Sequence, residues 1–114
     1  MVRKNNLDEY DLDDFYKLIQ MWGVDRELHN ASPMNQMVKL MEEVGELASA
    51  LNKKSGFVFD KDVKDSIGDI FVVLVMLSLQ LRVHFEECVK EAYIQIKDRK
   101  GKIVDGVFVK ESDL

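Results

Sequence analysis

The chain has 114 residues, 46% of them hydrophobic and 32% charged, with one Pro, one Cys and 16 basic against 21 acidic side chains. That is one domain's length, too apolar for a disordered chain, and folding at this size buries only about two-thirds of the unfolded surface, so help from a second subunit is expected. The net charge of −5 argues against a protein that coats nucleic acid or an anionic membrane, and the lone Cys88 excludes an intrachain disulfide and a thiolate zinc site.

The first residues are basic but run into Leu7-Asp-Glu-Tyr10 rather than an apolar stretch, so they do not read as a secretory signal. From Asp11 to Leu28 the apolar residues Leu12, Phe15, Tyr16, Leu18, Ile19 and Trp22 recur at steps of three and four, the stripe of an amphipathic helix. Ser32-Pro33 then pairs an N-cap residue with proline at the first helical position, where its missing N–H costs nothing. A second helix follows, with Met37, Leu40, Met41, Val44, Leu47, Ala48 and Leu51 on one face. Lys53-Lys-Ser-Gly56 supplies its stop signal.

Phe57-Val-Phe59 is a short connector, after which Asp60 or Asp62 can cap a third helix running to about Arg82. Its centre, Ile70 to Leu77, has no polar face. The run is far shorter than the roughly 20 residues of a membrane span, and a helix apolar all round needs neighbours all round, so self-association through this helix is expected. The fourth helix is expected over Phe85 to Lys100, with Glu86 and Glu87 at its start and Lys97, Arg99 and Lys100 at its end, each sign suited to the helix dipole. Beyond Gly101, Asp105-Gly106 stands between two β-type triplets, a hairpin signal. A soluble, cytoplasmic, all-α protein of one domain over residues 1–114 is the expectation, a four-helix bundle-type fold with a short C-terminal hairpin or extended tail and an oligomeric core.

Glu42, Glu43 and Glu46 stand at i, i+1 and i+4, so their carboxylates leave a helix within an arc of about 100°. Asp65-Ser66-Ile67-Gly68-Asp69 repeats the build of Glu42-Glu43-Val44-Gly45-Glu46, and the two glycines suggest that the acidic sectors face each other across a close helix contact. Crowded like charges are destabilising, and the simplest compensation is a hard divalent cation, Mg²⁺ or Mn²⁺, since no thiol or histidine is at hand. A solvated acidic face is the competing reading.

Gln36 to Leu47, with its Glu-Glu-x-x-Glu, followed by Ile67-Gly-Asp69 at the head of an apolar helix, resembles the MazG-like all-α nucleoside triphosphate pyrophosphohydrolases. Arg99-Lys-Gly-Lys102 and Gly106-Val-Phe-Val-Lys110 resemble the tails of phage-type and Gram-positive members, and the likeness covers most of the chain. It implies Mg²⁺-dependent hydrolysis of a nucleoside triphosphate between the α and β phosphates, giving the monophosphate and pyrophosphate, by a homodimer or dimer of dimers. Carried across residue by residue, Glu43, Glu46 and Asp69 are the metal ligands, and Ser66 stands where the family usually has glutamate and can offer only a neutral hydroxyl, so that either Asp65 swings in, or a water takes that place, or metal affinity is reduced. Glu42 and Glu43 are the catalytic acids, Glu42 placed to orient or deprotonate a water.

Lys97, Arg99, Lys100 and, one turn before Glu43, Lys39 are candidate phosphate partners, the first three with helix-dipole pairing as an equal reading. Trp22, Asn35 and Gln36 lie at the family's base-contact positions, but Trp22 also fits the core stripe of the first helix and the other two could be capping residues. His29 and His84 read as loop or cap histidines, Cys88 as a small packed residue and the methionines as core filler. A phosphoribosyl-ATP pyrophosphohydrolase-like enzyme and a non-catalytic helical metal- or nucleotide-binding dimerisation module are the alternatives.

Overall fold

The structure, a computed structural model, describes residues 6–52 and 61–114. Its helices are α1 (Leu12–Asp25), α2 (Pro33–Asn52), α3 (Lys61–Leu81) and α4 (Phe85–Ile96), followed by strands β1 (Gly101–Val104) and β2 (Val107–Lys110), with single 3₁₀ turns at Leu7–Glu9, Leu28–Asn30 and Glu111–Asp113. The expected all-α class with a terminal hairpin is what the chain adopts. Backbone contacts divide it into two compact units, Met1–Val83 and His84–Leu114, each described by itself.

In the first unit α1 begins at a reciprocal capping box, the Asp11 carboxylate accepting from the Asp14 N–H at 2.8 Å and Asp14 accepting from the Asp11 N–H at 3.0 Å. It ends at Asp25 rather than Leu28, because Glu27 turns left-handed at φ 59° and the chain re-enters a 3₁₀ turn. The Ser32-Pro33 start holds: the Ser32 hydroxyl accepts from the Asn35 N–H at 3.5 Å, and α2 runs for 20 residues. The stop at Lys53–Gly56, the Phe57–Phe59 connector and the Asp60 cap lie outside the described residues. The third helix is one long helix as expected. It closes in a Schellman pattern, Val83 N–H to Ser78 C=O at 3.0 Å and Arg82 N–H to Leu79 C=O at 3.2 Å, with Arg82 at φ 57° where glycine is the usual choice.

The core of this unit forms where α1 and α2 pack on α3, around Tyr16, Ala50, Val63, Val73, Val75 and Met76. Gly23 is buried against α3, and a Cβ there would collide with the Sδ and Cε of Met76, so glycine is what allows α1 to approach.

The expected apolar stripe of α2 is only partly used. Leu40 and Leu47 turn inward, whereas Met37, Met41, Val44, Ala48 and Leu51 are exposed, and the packed face is instead Gln36, Leu40, Glu43, Leu47 and Ala50. Along α3 the burial is strong but not all round, since Ile67, Leu74 and Leu81, seven residues apart, remain exposed. The pairing of Gly45 with Gly68 is corrected as well. Neither has any atom within 4 Å of an added Cβ, so neither marks a helix contact among the described residues.

In the second unit α4 stops at Ile96, not Lys100, with Lys97 as its C-cap, so Arg99 and Lys100 lie just beyond the helix end. The hairpin pairs Gly101 with Lys110 through Val104 with Val107. Its two-residue turn places Asp105 at φ 51° and Gly106 at φ 80°, the left-handed pair of a type I′ turn. Cys88 is exposed, not packed. Of the described methionines only Met76 is core, with Met21, Met34, Met37 and Met41 all exposed.

Candidate functional site

Helix α2 carries Glu42, Glu43 and Glu46 as the sequence spacing requires, but it treats them differently. Glu43 lies on the face packed against α3 and is only 4% exposed, whereas Glu42 and Glu46 face solvent. A carboxylate withdrawn from water needs a countercharge. Lys39, one turn earlier, supplies it, its Nζ 2.9 Å from Glu43 Oε1 and 3.8 Å from Glu42 Oε2. The second oxygen of Glu43, Oε2, is buried with no hydrogen-bond partner.

Across from it, α3 contributes Asp65, Ser66 and Asp69. Ser66 is buried, and with Glu46, Ser49, Ala50, Asp62, Asp65 and Asp69 it lines a cleft of about 390 Å³ between α2 and α3. Asp65 shares this lining but holds Lys61 Nζ at 2.6 Å on the exposed surface. The electrostatics record the crowding. The ammonium of Lys39 holds the Glu43 carboxyl below its ordinary range against the opposing effect of burial. The negative charge of Glu43 pushes Glu46 up, and burial followed by that same charge pushes Asp69 up. Lys39 is in turn raised by its bond to Glu43. Three carboxylates are therefore close enough to disturb one another's protonation, with one ammonium paired to Glu43.

The donor set suits a hard divalent cation: all are oxygens, and Glu43 Oε2 is a buried acceptor without a donor. Among the described residues, however, no three acidic, histidine or cysteine side chains are already gathered into a metal-ligand arrangement. The acids share a sector, and Lys39 supplies their countercharge in the conformation shown.

The structure thus brings together Glu42, Glu43, Glu46, Asp65, Ser66, Asp69 and Lys39. Lys97, Arg99 and Lys100 belong to the second unit. There Lys97 Nζ meets Asp98 at 2.9 Å, while Arg99 and Lys100 join Asp98, Lys110, Glu111 and Ser112 around a hollow of about 490 Å³. Trp22 is corrected from the core stripe: it is 45% exposed, with the Arg26 guanidinium 4.4 Å from its ring centroid. The backbone N–H of Asn35 bonds the Ser32 cap, and Gln36 Oε1 accepts from Gln80 Nε2 at 3.1 Å. Sequence reasoning missed Asp62 and Ser49 at the cleft, and Lys61 as the partner of Asp65. Ser49 follows Glu46 by three residues, a spacing that a helical reading of the Glu triplet already contains. It also missed Gln80, whose partners are 44 and 52 residues away and leave no local signal.

Fold and site together define an all-α domain with an acidic cleft between two long helices, and among the described residues no single helix is long and apolar enough to cross a membrane. Residues 31–104, well over half the chain, match the MazG nucleotide pyrophosphohydrolase domain, and the chain belongs to that family. It is 46% identical over 71 residues to an uncharacterized 18.2 kDa protein from the rep-hol intergenic region of Haemophilus phage HP1, covering 61% of this chain and 41% of the phage protein. It is 39% identical over 62 residues to the uncharacterized protein YpjD of Bacillus subtilis, covering 49% of this chain and 56% of that protein. The matched segment thus spans about half the length of these relatives.

Proposed function

We propose that the chain is a Mg²⁺-dependent nucleoside triphosphate pyrophosphohydrolase that cleaves between the α and β phosphates and releases the monophosphate and pyrophosphate. The observation that carries this reading is Glu43, a buried carboxylate with an oxygen lacking any donor, set among Glu46 and Asp69 whose protonation it disturbs. Membership of the MazG family supports the reaction class.

Glu43, Glu46 and Asp69 are the residues that would hold the metal, which when bound offsets phosphate charge, polarises the scissile P–O bond and lowers the pKa of a nucleophilic water. Ser66 offers only a neutral hydroxyl in the cleft, with Asp65 the nearest extra carboxylate along the same lining. Glu42, exposed and beside Lys39, would take a proton from an incoming water, a role its exposure supports. Lys39 exchanges its bond to Glu43 for a phosphate oxygen when substrate arrives. Self-association, as a homodimer or dimer of dimers, is supported by the exposed apolar strip of α2, and a reducing, cytoplasmic setting by the single cysteine.

Incubation of the protein with canonical and modified nucleoside triphosphates and Mg²⁺, with pyrophosphate and orthophosphate measured separately, tests this. Pyrophosphate from at least one substrate is the expected result. Orthophosphate instead moves the cleaved bond, and no product from any substrate favours the non-catalytic module that Ser66 in the cleft would suit.

A further inference from the structure

Two helical turns from the acids along the same helix pair, the first unit holds a polar cluster that the metal reading does not use. Gln36 meets Gln80 while Glu46 and Ala50 share a cleft with Ser66 and Asp69, so α2 and α3 run antiparallel. Gln80 Nε2 donates to the Leu28 carbonyl at 3.0 Å and to Gln36 Oε1 at 3.1 Å. A backbone carbonyl can only accept, so the orientation of the Gln80 amide is forced and both of its N–H groups are spent. Its Oε1 is then a fixed acceptor, buried and without a donor. His29, the residue after Leu28, also has its Nδ1 buried without a partner, and in the Nε2–H tautomer that atom is a second acceptor. Two orphaned acceptors on adjoining elements call for a group with two N–H donors.

An exocyclic amine is such a group. Gln36 lies seven residues, about 10 Å of helix, from Glu43, a separation that suits a nucleotide with its phosphates at the acids and its base at the amides. We propose that Gln80 Oε1, with His29 Nδ1, recognises the exocyclic amine of cytosine or adenine and discriminates against uracil and thymine, which present a carbonyl oxygen there and would set acceptor against acceptor. Gln36 and the Leu28 carbonyl act as positioning groups for Gln80. This rests on the reading that the acids face the phosphates, but its test does not require hydrolysis.

Affinities of the full chain for dCMP against dUMP, and for AMP against IMP, are measured by calorimetry, each pair exchanging an amine for a carbonyl. At least about tenfold tighter binding of dCMP and AMP is expected, the discrimination of a site whose acceptors are otherwise left unpaired. Gln80→Leu should erase the preference. Because that substitution also removes two structural hydrogen bonds, His29→Ala is the second arm; its Nδ1 bonds nothing in the fold, and the preference should shrink with the melting temperature held. Equal affinities in the wild type, meaning that buried water meets the two acceptors, or a preference retained in both variants, would overturn the proposal. A base preference without pyrophosphate release leaves this inference standing and removes the catalytic one; pyrophosphate released equally from amine- and keto-bearing triphosphates does the reverse.

Discussion

The two faces of α2 invert the usual arrangement of a soluble helix. The face turned to α3 carries Glu43, almost wholly buried, between the half-buried Leu40 and Leu47, while the face turned to solvent carries Met34, Met37, Met41, Val44 and Leu51. Burial of a charge in place of available methionines costs stability, so the inward face is organised for a purpose other than packing. The outward face has the opposite defect, an apolar strip left exposed among the described residues, which is how an interaction surface looks before its partner is in place. One helix thereby serves two tasks, a charged site on one side and an association surface on the other.

The comparison breaks first at Glu43. Glu43→Ala should lower pyrophosphate release by about 10³-fold, the order expected when a metal's several kcal/mol of transition-state stabilisation is lost, with the fold retained by circular dichroism. A drop of less than tenfold would make the buried carboxylate structural. On the other face, Met41→Asp places a charge at a position 59% exposed in the single chain and should shift the protein to a monomer on light scattering without loss of helix content. A wild type that is already monomeric would leave the outward strip unexplained.

Much of this was legible along the chain. The Ser32-Pro33 start and the Asp105-Gly106 turn are local signals, and each holds. What periodicity does not reveal is which part of an apolar stripe meets a neighbour: a turn of about 60° about the α2 axis separates Leu40 and Leu47 from Met37, Met41 and Val44, and only tertiary contact chooses between them. Glycines 45 and 68 looked like contact positions because of their spacing, whereas the contact glycine is Gly23, chosen by the distant Met76. The end of α4 at Ile96 carries no local stop signal, since the polar run from Lys97 to Lys100 is as helix-compatible as the turns before it. The acids of the candidate site were legible as residue types and spacing; the isolation of Glu43 from water, and the amide cluster at Gln80, depend on which helix faces which.

Smaller effects sharpen the picture. Gly23→Ala should cost about 1–3 kcal/mol by driving Met76 against α1, read as a lower midpoint in urea, and should leave the relative rates on different nucleotides unchanged. The pH dependence of metal binding should be gentler still. Glu46 and Asp69 are pushed up from their ordinary values, so their ionised forms weaken the metal-free fold at neutral pH, and that penalty is relieved as pH falls through the raised values. Glu43 is held below its ordinary range, so its contribution is present above its unfolded-state value and is lost only as pH falls through the lowered one. The rise in melting temperature on adding Mg²⁺ should therefore be full at neutral pH and shrink as the pH falls, because protons compete for Glu46 and Asp69 before Glu43.

Manganese binding followed by electron paramagnetic resonance, on the wild type and on Glu43→Gln in parallel, tests the central assignment most directly. The buried carboxylate predicts a Mn²⁺ site in the wild type that tightens when a nucleoside triphosphate is added and that is lost or weakened at least about tenfold when Glu43 is made neutral. Identical titrations of the two proteins would show that the acids of α2 and α3 are a charged surface and not a metal centre.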